Sequence, residues 1–296
     1  MILEYVVKDL SLYKTVRQVL KIEFNMSNRL ITKLKKNKCI LLNGFATYLD
    51  KILCINDIIS CDLNCEESSD NIIPTKMDLN IIYEDDSLLV VNKSPGIAVH
   101  PSILHYENSL ANEVKYYFES IGLNKKIRPV NRLDKDTSGL VIFAKNEYIQ
   151  ECLVKQMQNN TFYKEYVALL CGNLENASGK VEAPIARKDN SIIERCINSN
   201  GDYALTYYEL IKNYHDFCLV KFVLKTGRTH QIRLHSQYIG HPILGDTLYG
   251  SSSNLINRQA LHCIKLSFMH PITKKEMTFE LYPNKIGSWK ILEGCI

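Results

Sequence analysis

Most of the residues that could do chemistry in this 296-residue chain fall in three short stretches. In NRLDKDTSGL, residues 131–140, Arg132 stands two residues before Asp134. An arbitrary Arg-x-Asp pair is most often an exposed ion pair that contributes little. Here the pair runs into a Thr-Ser-Gly sequence and then into Leu140, Val141, Ile142, Phe143 and Ala144, a short apolar run that reads as a buried strand. Ser138 and Gly139 read as a tight turn ahead of that strand. Asp134 is therefore expected on a rigid connection at the lip of a sheet, where a carboxylate can act as a nucleophile. Asp136 is the nearest second carboxylate of the kind a glycosidase uses as its acid. Two residues further on it points elsewhere, so it is read as structural.

The second stretch is YKEYVALLCG, where Tyr166 alternates with Val167 and Leu169 in a strand pattern. Such a tyrosine is most often core packing with its hydroxyl tied to a neighbour. Exposed to a cleft, its ring would instead offer an aromatic face to a planar ligand, and a phenol can relay a proton. The third is HQIRLHSQYI, a helix that Thr229 is predicted to cap and Gly240 to end, with Arg233 one turn in. An anion enclosed in a cleft loses hydration, and a guanidinium bound to it would keep it charged and oriented. His230, His235 and His241 raise the alternative of a metal hydrolase. Their spacings of five and six residues do not put two imidazoles on one helical face, and no metal is expected. No P-loop or dinucleotide glycine pattern is present, so no nucleotide cofactor is expected.

The elements around these stretches alternate irregularly. LNIIYED and SLLVVNK read as strands, SLANEVKYYFESIG as a helix capped by Ser109 and closed by Gly122, and EYIQECLVKQMQ as a further helix. TFYKEYVALLCG, VEAPIA, YALTYYELIK and FCLVKFVLKT read as strands. So many directly linked strands predict an α+β domain over 79–296, built on a mixed, largely antiparallel sheet.

Residues 1–65 form a separate small α/β module in this reading, and 66–78, rich in Ser, Asn and acidic residues with Pro74, form a linker about which the halves could move. YKTVRQVLKIEF is one helix, Ser27 caps a second over SNRLITKLKKNK, Asn43-Gly44 turns a hairpin, and IISCDL is a strand. Phe24 to Leu49 holds no acidic residue, while Arg29, Lys33, Lys35, Lys36 and Lys38 carry five positive charges. Such a run is commonly a solvated face; concentrated on one short helix it also makes a phosphate-binding patch, with Arg29, Lys33 and Lys36 as its candidates.

A hydrophobic share of 46%, a charged share of 23% and a net charge of +4 fit an ordinary globular protein and do not by themselves select a partner. No apolar run reaches the length of a membrane span, and Glu4 and Asp9 interrupt any signal-peptide core, so a cytoplasmic protein without membrane contact is expected. Ten scattered cysteines without a Cys-x-x-Cys pair fit free, mostly buried thiols in a reducing compartment.

Four segments resemble one family in particular, the RluA/RluD family of RNA pseudouridine synthases. They are EDDSLLVVNKSPGIAVHPS, NRLDKDTSGL, YKEYVALLCG and LKTGRTHQIRLHSQYIGHPILGDTLYG, followed by RQALHCIKLSFMHP, and the resemblance spans almost the whole region from about residue 80 to 283. Ser94 stands where the family often has Pro, and Asn131 where it usually has His. The resemblance implies that Asp134 attacks the target uridine, that Tyr166 stacks on the uracil and takes part in proton transfer, and that Arg233 pairs with Asp134. By analogy with base-flipping enzymes, Arg132 would fill the space left by the extruded nucleotide. Isomerising a nucleoside involves no redox change and no phosphoryl transfer, so no cofactor is implied. The pieces Val16–Leu20, Ser27–Leu34, Leu42–Gly44 and Asn56–Ile59 resemble the ribosomal-protein-S-four type of RNA-binding domain, although Asn56-Asp57 replaces a usual Gly-Asp and Cys39 a common Gly. That combination implies ribosomal RNA of the large subunit as the partner and transfer RNA as the second choice; separately, a monomer is expected. A non-catalytic RNA-binding or ribosome-assembly protein on the same fold is the alternative.

Overall fold

The computed structural model describes residues 1–64, 71–102, 106–283 and Trp289. The chain opens with β1 (Ile2–Val6), then α1 (Val16–Gln18), which runs on as a single π-helical stretch Val19–Glu23. α2 (Asn28–Lys36) follows, then β2 (Ile40–Leu42), β3 (Phe45–Ala46) and β4 (Ile58–Asp62). The four strands form one antiparallel sheet in the order β1-β4-β2-β3. Ser27 caps α2 by accepting from the Leu30 N–H at 3.1 Å. Leu30, Ile31 and Leu34 turn inward, so the lysines take the outer face. Asn43 (φ 50°) and Gly44 (φ 82°) make the tight turn between β2 and β3, both in the left-handed region that such a turn requires. β1 carries no strong pattern of its own and is a strand because β4 offers it an edge.

The remainder contributes β5 (Ile81–Glu84), β6 (Leu88–Lys93), α3 (Leu110–Ser120), β7 (Ser138–Ala144), α4 (Glu147–Gln158) and β8 (Tyr163–Cys171). Then come β9 (Ser178–Glu182), β10 (Ile185–Arg187), β11 (Arg195–Ile197), β12 (Leu205–Asn213), β13 (Phe217–Leu224), α5 (Gln231–Tyr238), β14 (Leu261–Met269) and β15 (Glu276–Glu280). β5-β6-β7-β14-β8-β13-β12-β9 make one sheet, with β15 on the far part of β14. Every pairing in it is antiparallel except β7 with β14. This is the mixed, largely antiparallel α+β architecture that the strand pattern predicts.

β7 is buried along its whole length, and each of its large apolar side chains adds roughly 1.5–3 kcal/mol of burial. The strand begins at Ser138, two residues before the apolar run, so Ser138 and Gly139 belong to the sheet and not to the turn. The turn lies just ahead of them, closed by the Thr137 N–H on the Asp134 carbonyl at 3.1 Å. Gly139 has φ 114°, and a Cβ there would sit 2.3 Å from the Cys263 carbonyl oxygen. Only glycine lets β14 come this close. VEAPIA is not one strand either: Pro184, which has no N–H to give a ladder, separates β9 from β10.

The amino-terminal sheet and the large sheet do not sit on a free hinge. The Ser27 N–H donates to both oxygens of Glu151 on α4 at 3.1 and 3.2 Å, and Lys33 Nζ reaches Glu147 at 2.6 Å. Lys155 donates to the Asn25 carbonyl, while Leu30, Leu34, Leu63 and Tyr148 line one small cavity. The first residues of the expected linker lie outside the described residues. Its later part is fastened to α3, where Asn112 Nδ2 donates to the Ile73 carbonyl at 2.8 Å. Of the cysteines, Cys39 is disulfide-bonded, which departs from the expectation of free thiols throughout. Seven others are free among the described residues.

Candidate active site

The register of three strands builds the centre of the site. Gly139 on β7 lies opposite Cys263 on β14, and Cys263 lies opposite Tyr166 on β8. The Asp134 turn at the head of β7 is therefore carried next to the Tyr166 ring. α5 brings the third member: Arg233 Nη1 lies 3.2 Å from Asp134 Oδ2. Arg132, Asp134, Tyr166 and Arg233 all line one cleft of about 1310 Å³. The cleft wall also carries Lys164, Arg195, Lys225 and Arg228, so it presents positive charge around a single recessed carboxylate. Asp134 is partly open to that cleft, whereas Arg233 is buried.

Arg233 is not a free arm. Its Nε and Nη2 donate to the two oxygens of Asp246 at 2.7 and 2.9 Å, a two-point clamp that leaves Nη1 for Asp134. Asp246 is fully buried and also accepts the N–H groups of Leu248 (3.0 Å) and Tyr249 (3.2 Å). Burial disfavours the Arg233 cation, but Asp246 and then Asp134 outweigh it, and the guanidinium is held above its usual range. Tyr249 completes the packing with its ring 5.0 Å from the guanidinium carbon. The sequence carries Asp246 and Tyr249 in LGDTLYG, but nothing in their spacing to Arg233 marks them as its holders.

The helix start differs from expectation. His230, not Thr229, occupies the cap position of α5, with a left-handed backbone at φ 59°. Its Nδ1 lies 2.8 Å from the Tyr249 hydroxyl and its Nε2 3.9 Å from Asp134 Oδ2. Burial lowers the imidazole pKa, partly opposed by Asp134. Gly240 (φ 84°) follows the helix end as predicted.

The nucleophile candidate's turn is fastened from below. Lys93 is fully buried and donates from Nζ to the carbonyls of Ser94, Ile97 and Lys135, each at 2.8 Å. Arg258 donates to the Asp136 carbonyl at 3.0 Å and to Ser138 Oγ at 3.2 Å, and Gln259 Nε2 to Thr137 Oγ1 at 2.7 Å. Asn131 grips the edge of β7, donating to the Leu140 carbonyl (3.0 Å) and accepting from the Ile142 N–H (2.9 Å). An amide thus supplies both halves of a strand pairing, which is what the departure from His at this position does here. Asp136 enters through its backbone, in line with a structural role.

Tyr166 is buried, with its ring at the cleft and its hydroxyl bonded to Cys263. Burial, then Cys263 and Asp134, push its pKa well above the ordinary phenol range, so it carries its proton at neutral pH. Arg132 is exposed at the rim and makes no ion pair among the described residues. The three histidines are dispersed: His235 is buried between the Thr206 hydroxyl (2.8 Å) and the Ala183 carbonyl (3.0 Å), and His241 rests on the Cys171 carbonyl (2.9 Å). Among the described residues no cluster of three or more His, Cys, Asp or Glu could hold a metal ion, and no helix is long and apolar enough to cross a membrane.

The candidate phosphate-binding residues of α2 divide. Arg29 and Lys36 are exposed, Arg29 lying 3.8 Å from Glu147. Lys33 is committed to the tighter ion pair with that same carboxylate.

With this geometry in hand, residues 87–238 match the family described as RNA pseudouridylate synthase. The RNA pseudouridine synthase YjbO of Bacillus subtilis, described as uncharacterized, is 37% identical over 258 residues, covering 87% of this chain and 91% of that one. The chain belongs to the RNA pseudouridylate synthase family. Within that family it is of the RluA type: the ribosomal large subunit pseudouridine synthase D of Blochmanniella floridana is 37% identical over 226 residues, covering 71% of this chain and 70% of that one. The fold agrees, since human RNA pseudouridylate synthase domain containing 1 superposes with a TM-score of 0.59 at 24% identity, covering 71% of this chain and 85% of that one. This pseudouridine synthase is thus an isomerase acting on RNA.

Proposed function

We propose that this synthase converts uridines of large-subunit ribosomal RNA to pseudouridine with Asp134 as the nucleophile. The observation that carries the chemical half is the single carboxylate recessed in a positively lined cleft, held by Arg233 and facing Tyr166. An extruded base fits between the Tyr166 ring and the carboxylate, and positive groups around the rim suit the phosphates on either side of it. Arg233 keeps the carboxylate charged and aimed, and the protonated Tyr166 is a hydrogen-bond donor and proton relay at the base. Arg132, exposed at the rim, is placed to enter the stack where the nucleotide leaves. The target half rests on kinship, because relatives at 34–38% identity are named as synthases of the ribosomal large subunit.

The amino-terminal sheet with α2 acts in this reading as an S-four-like RNA grip. Arg29 and Lys36 meet phosphates, and Lys33, paired to Glu147, sets the grip relative to the catalytic sheet. A ribosomal substrate in turn calls for work in the cytoplasm. Mapping pseudouridines in total RNA from cells with and without the gene tests the proposal. Loss of one or more sites in large-subunit ribosomal RNA is expected; losses confined to transfer RNA would overturn the target, and no loss at all would favour a non-catalytic ribosome-assembly role.

A further inference from the structure

The two oxygens of Asp134 are not equivalent. Arg233 Nη1 approaches Oδ2 at 3.2 Å and His230 Nε2 approaches the same atom at 3.9 Å. Among the described residues Oδ1 accepts no hydrogen bond. The proton on His230 can be placed from its neighbours. The Tyr249 oxygen accepts the Arg195 N–H at 2.8 Å, which leaves its own O–H free to point at His230 Nδ1, also at 2.8 Å. With Nδ1 accepting, a neutral imidazole must carry its hydrogen on Nε2, the atom that faces Asp134. The left-handed backbone at His230 turns the ring into this position, a conformation non-glycine residues keep only where the surroundings enforce it.

We infer that His230 is a positioning residue: with its tautomer set by Tyr249, it holds the same oxygen that Arg233 holds, Oδ2, and leaves Oδ1 as the oxygen that meets the nucleoside. The inference rests on Asp134 being the reacting carboxylate. His230 Nε2 is about 1 Å outside hydrogen-bond contact in the free enzyme, a gap that a small shift of the partly open carboxylate closes when RNA fills the cleft. The chain from the β11 backbone through Tyr249 and His230 to Asp134 ties the orientation of the carboxylate to β11, which pairs antiparallel with β10.

Three variants of the full chain test it, each followed by thermal melting, RNA affinity and pseudouridine formation under single-turnover and steady-state conditions. A glutamine amide nitrogen reaches the Nε2 position, whereas that of asparagine stops at Nδ1. His230→Asn, which tolerates a left-handed backbone, should lower kcat by about ten- to a hundredfold with KM for the RNA unchanged. His230→Gln should recover most of that loss. Tyr249→Phe, which frees the tautomer, should lower kcat about two- to tenfold. Wild-type turnover in His230→Asn, or glutamine performing no better than asparagine, would overturn the inference. So would a loss of kcat that only tracks a loss of RNA affinity or of folded protein. Should the backbone at 230 reject glutamine, Tyr249→Phe decides: unchanged turnover in a folded protein overturns the inference. Asp134→Asn, run beside them, separates the two levels. If it stays active, the nucleophile reading has failed; if it is dead while His230→Asn is normal, only the role given to His230 has.

Discussion

Replacing Asp246 by Asn should damage both stability and turnover without touching a residue that meets the RNA. Asp246 is 1% exposed and accepts four hydrogen bonds, two from Arg233 and two from backbone N–H groups. Asparagine keeps one oxygen, but its amide NH₂ then faces a donor, and the buried guanidinium loses its nearest full charge. Removing one partner of a buried pair costs about 3–5 kcal/mol. The bonds that asparagine retains bring this to roughly 2–3 kcal/mol. At about 2–4 °C per kcal/mol for a large domain, the melting temperature should fall by roughly 5–10 °C. In the cleft, a guanidinium released from its clamp is free to close on Asp134 through both nitrogens and occupy the oxygen that the substrate needs. Single-turnover pseudouridine formation should therefore drop by about ten- to a hundredfold while RNA affinity holds. A variant that melts within a degree of the parent and turns over normally would refute the idea that Asp246 aims Arg233.

Tyr166→Phe keeps the aromatic face and removes the hydroxyl, so it should bind RNA normally yet form pseudouridine about 10²–10⁴-fold more slowly; equal rates would make the phenol a packing group. Replacing Arg29 and Lys36 together by Ala should weaken RNA binding and make the slope of log affinity against log salt shallower by about 1.5, at roughly 0.7–0.9 per phosphate contact. Lys33→Ala should instead lower the melting temperature, because Lys33 joins α2 to Glu147 on α4; an unchanged salt slope in the double variant would leave α2 a solvated face. His262 donates to the Leu281 carbonyl and accepts from Ser138, and burial pushes its pKa down to about 4. The unfolded chain binds this proton near pH 6.5, so the folded state loses about 3 kcal/mol as pH falls from 6.5 to 4 and keeps its full stability above that window. Urea titrations across this range should show the slope, and His262→Gln should flatten it; a parent without the slope would refute the assignment.

The parts of the fold that were legible in the sequence were those dictated locally. Ser27 before an amphipathic run, Asn43-Gly44 between apolar residues, and the β-branched run after Gly139 each encode one element by themselves. What could not be read depends on partners far along the chain. β1 exists because β4 pairs with it, and the packing of α2 on α4 depends on Glu147 and Glu151. Thr229 looks like a cap by composition, yet His230 occupies the cap position, with its ring bonded to the distant Tyr249. The site divides in the same way. Asp134, Tyr166 and Arg233 stand in motifs long enough to mark them; the sheet register brings the first two together and α5 adds the third. Asp246, Lys93 and Asn131 each make several hydrogen bonds, and those that fix the site, to Arg233, Lys135 and β7, reach beyond what a local pattern records.

The most direct measurement is pseudouridine formation by Asp134→Asn on large-subunit ribosomal RNA, read beside its melting curve and RNA affinity. Asp134 is partly exposed and makes a single short side-chain contact, so the variant should fold and bind as the parent does, and form no pseudouridine. Modification at the parent's rate would place the reacting group elsewhere and contradict the account.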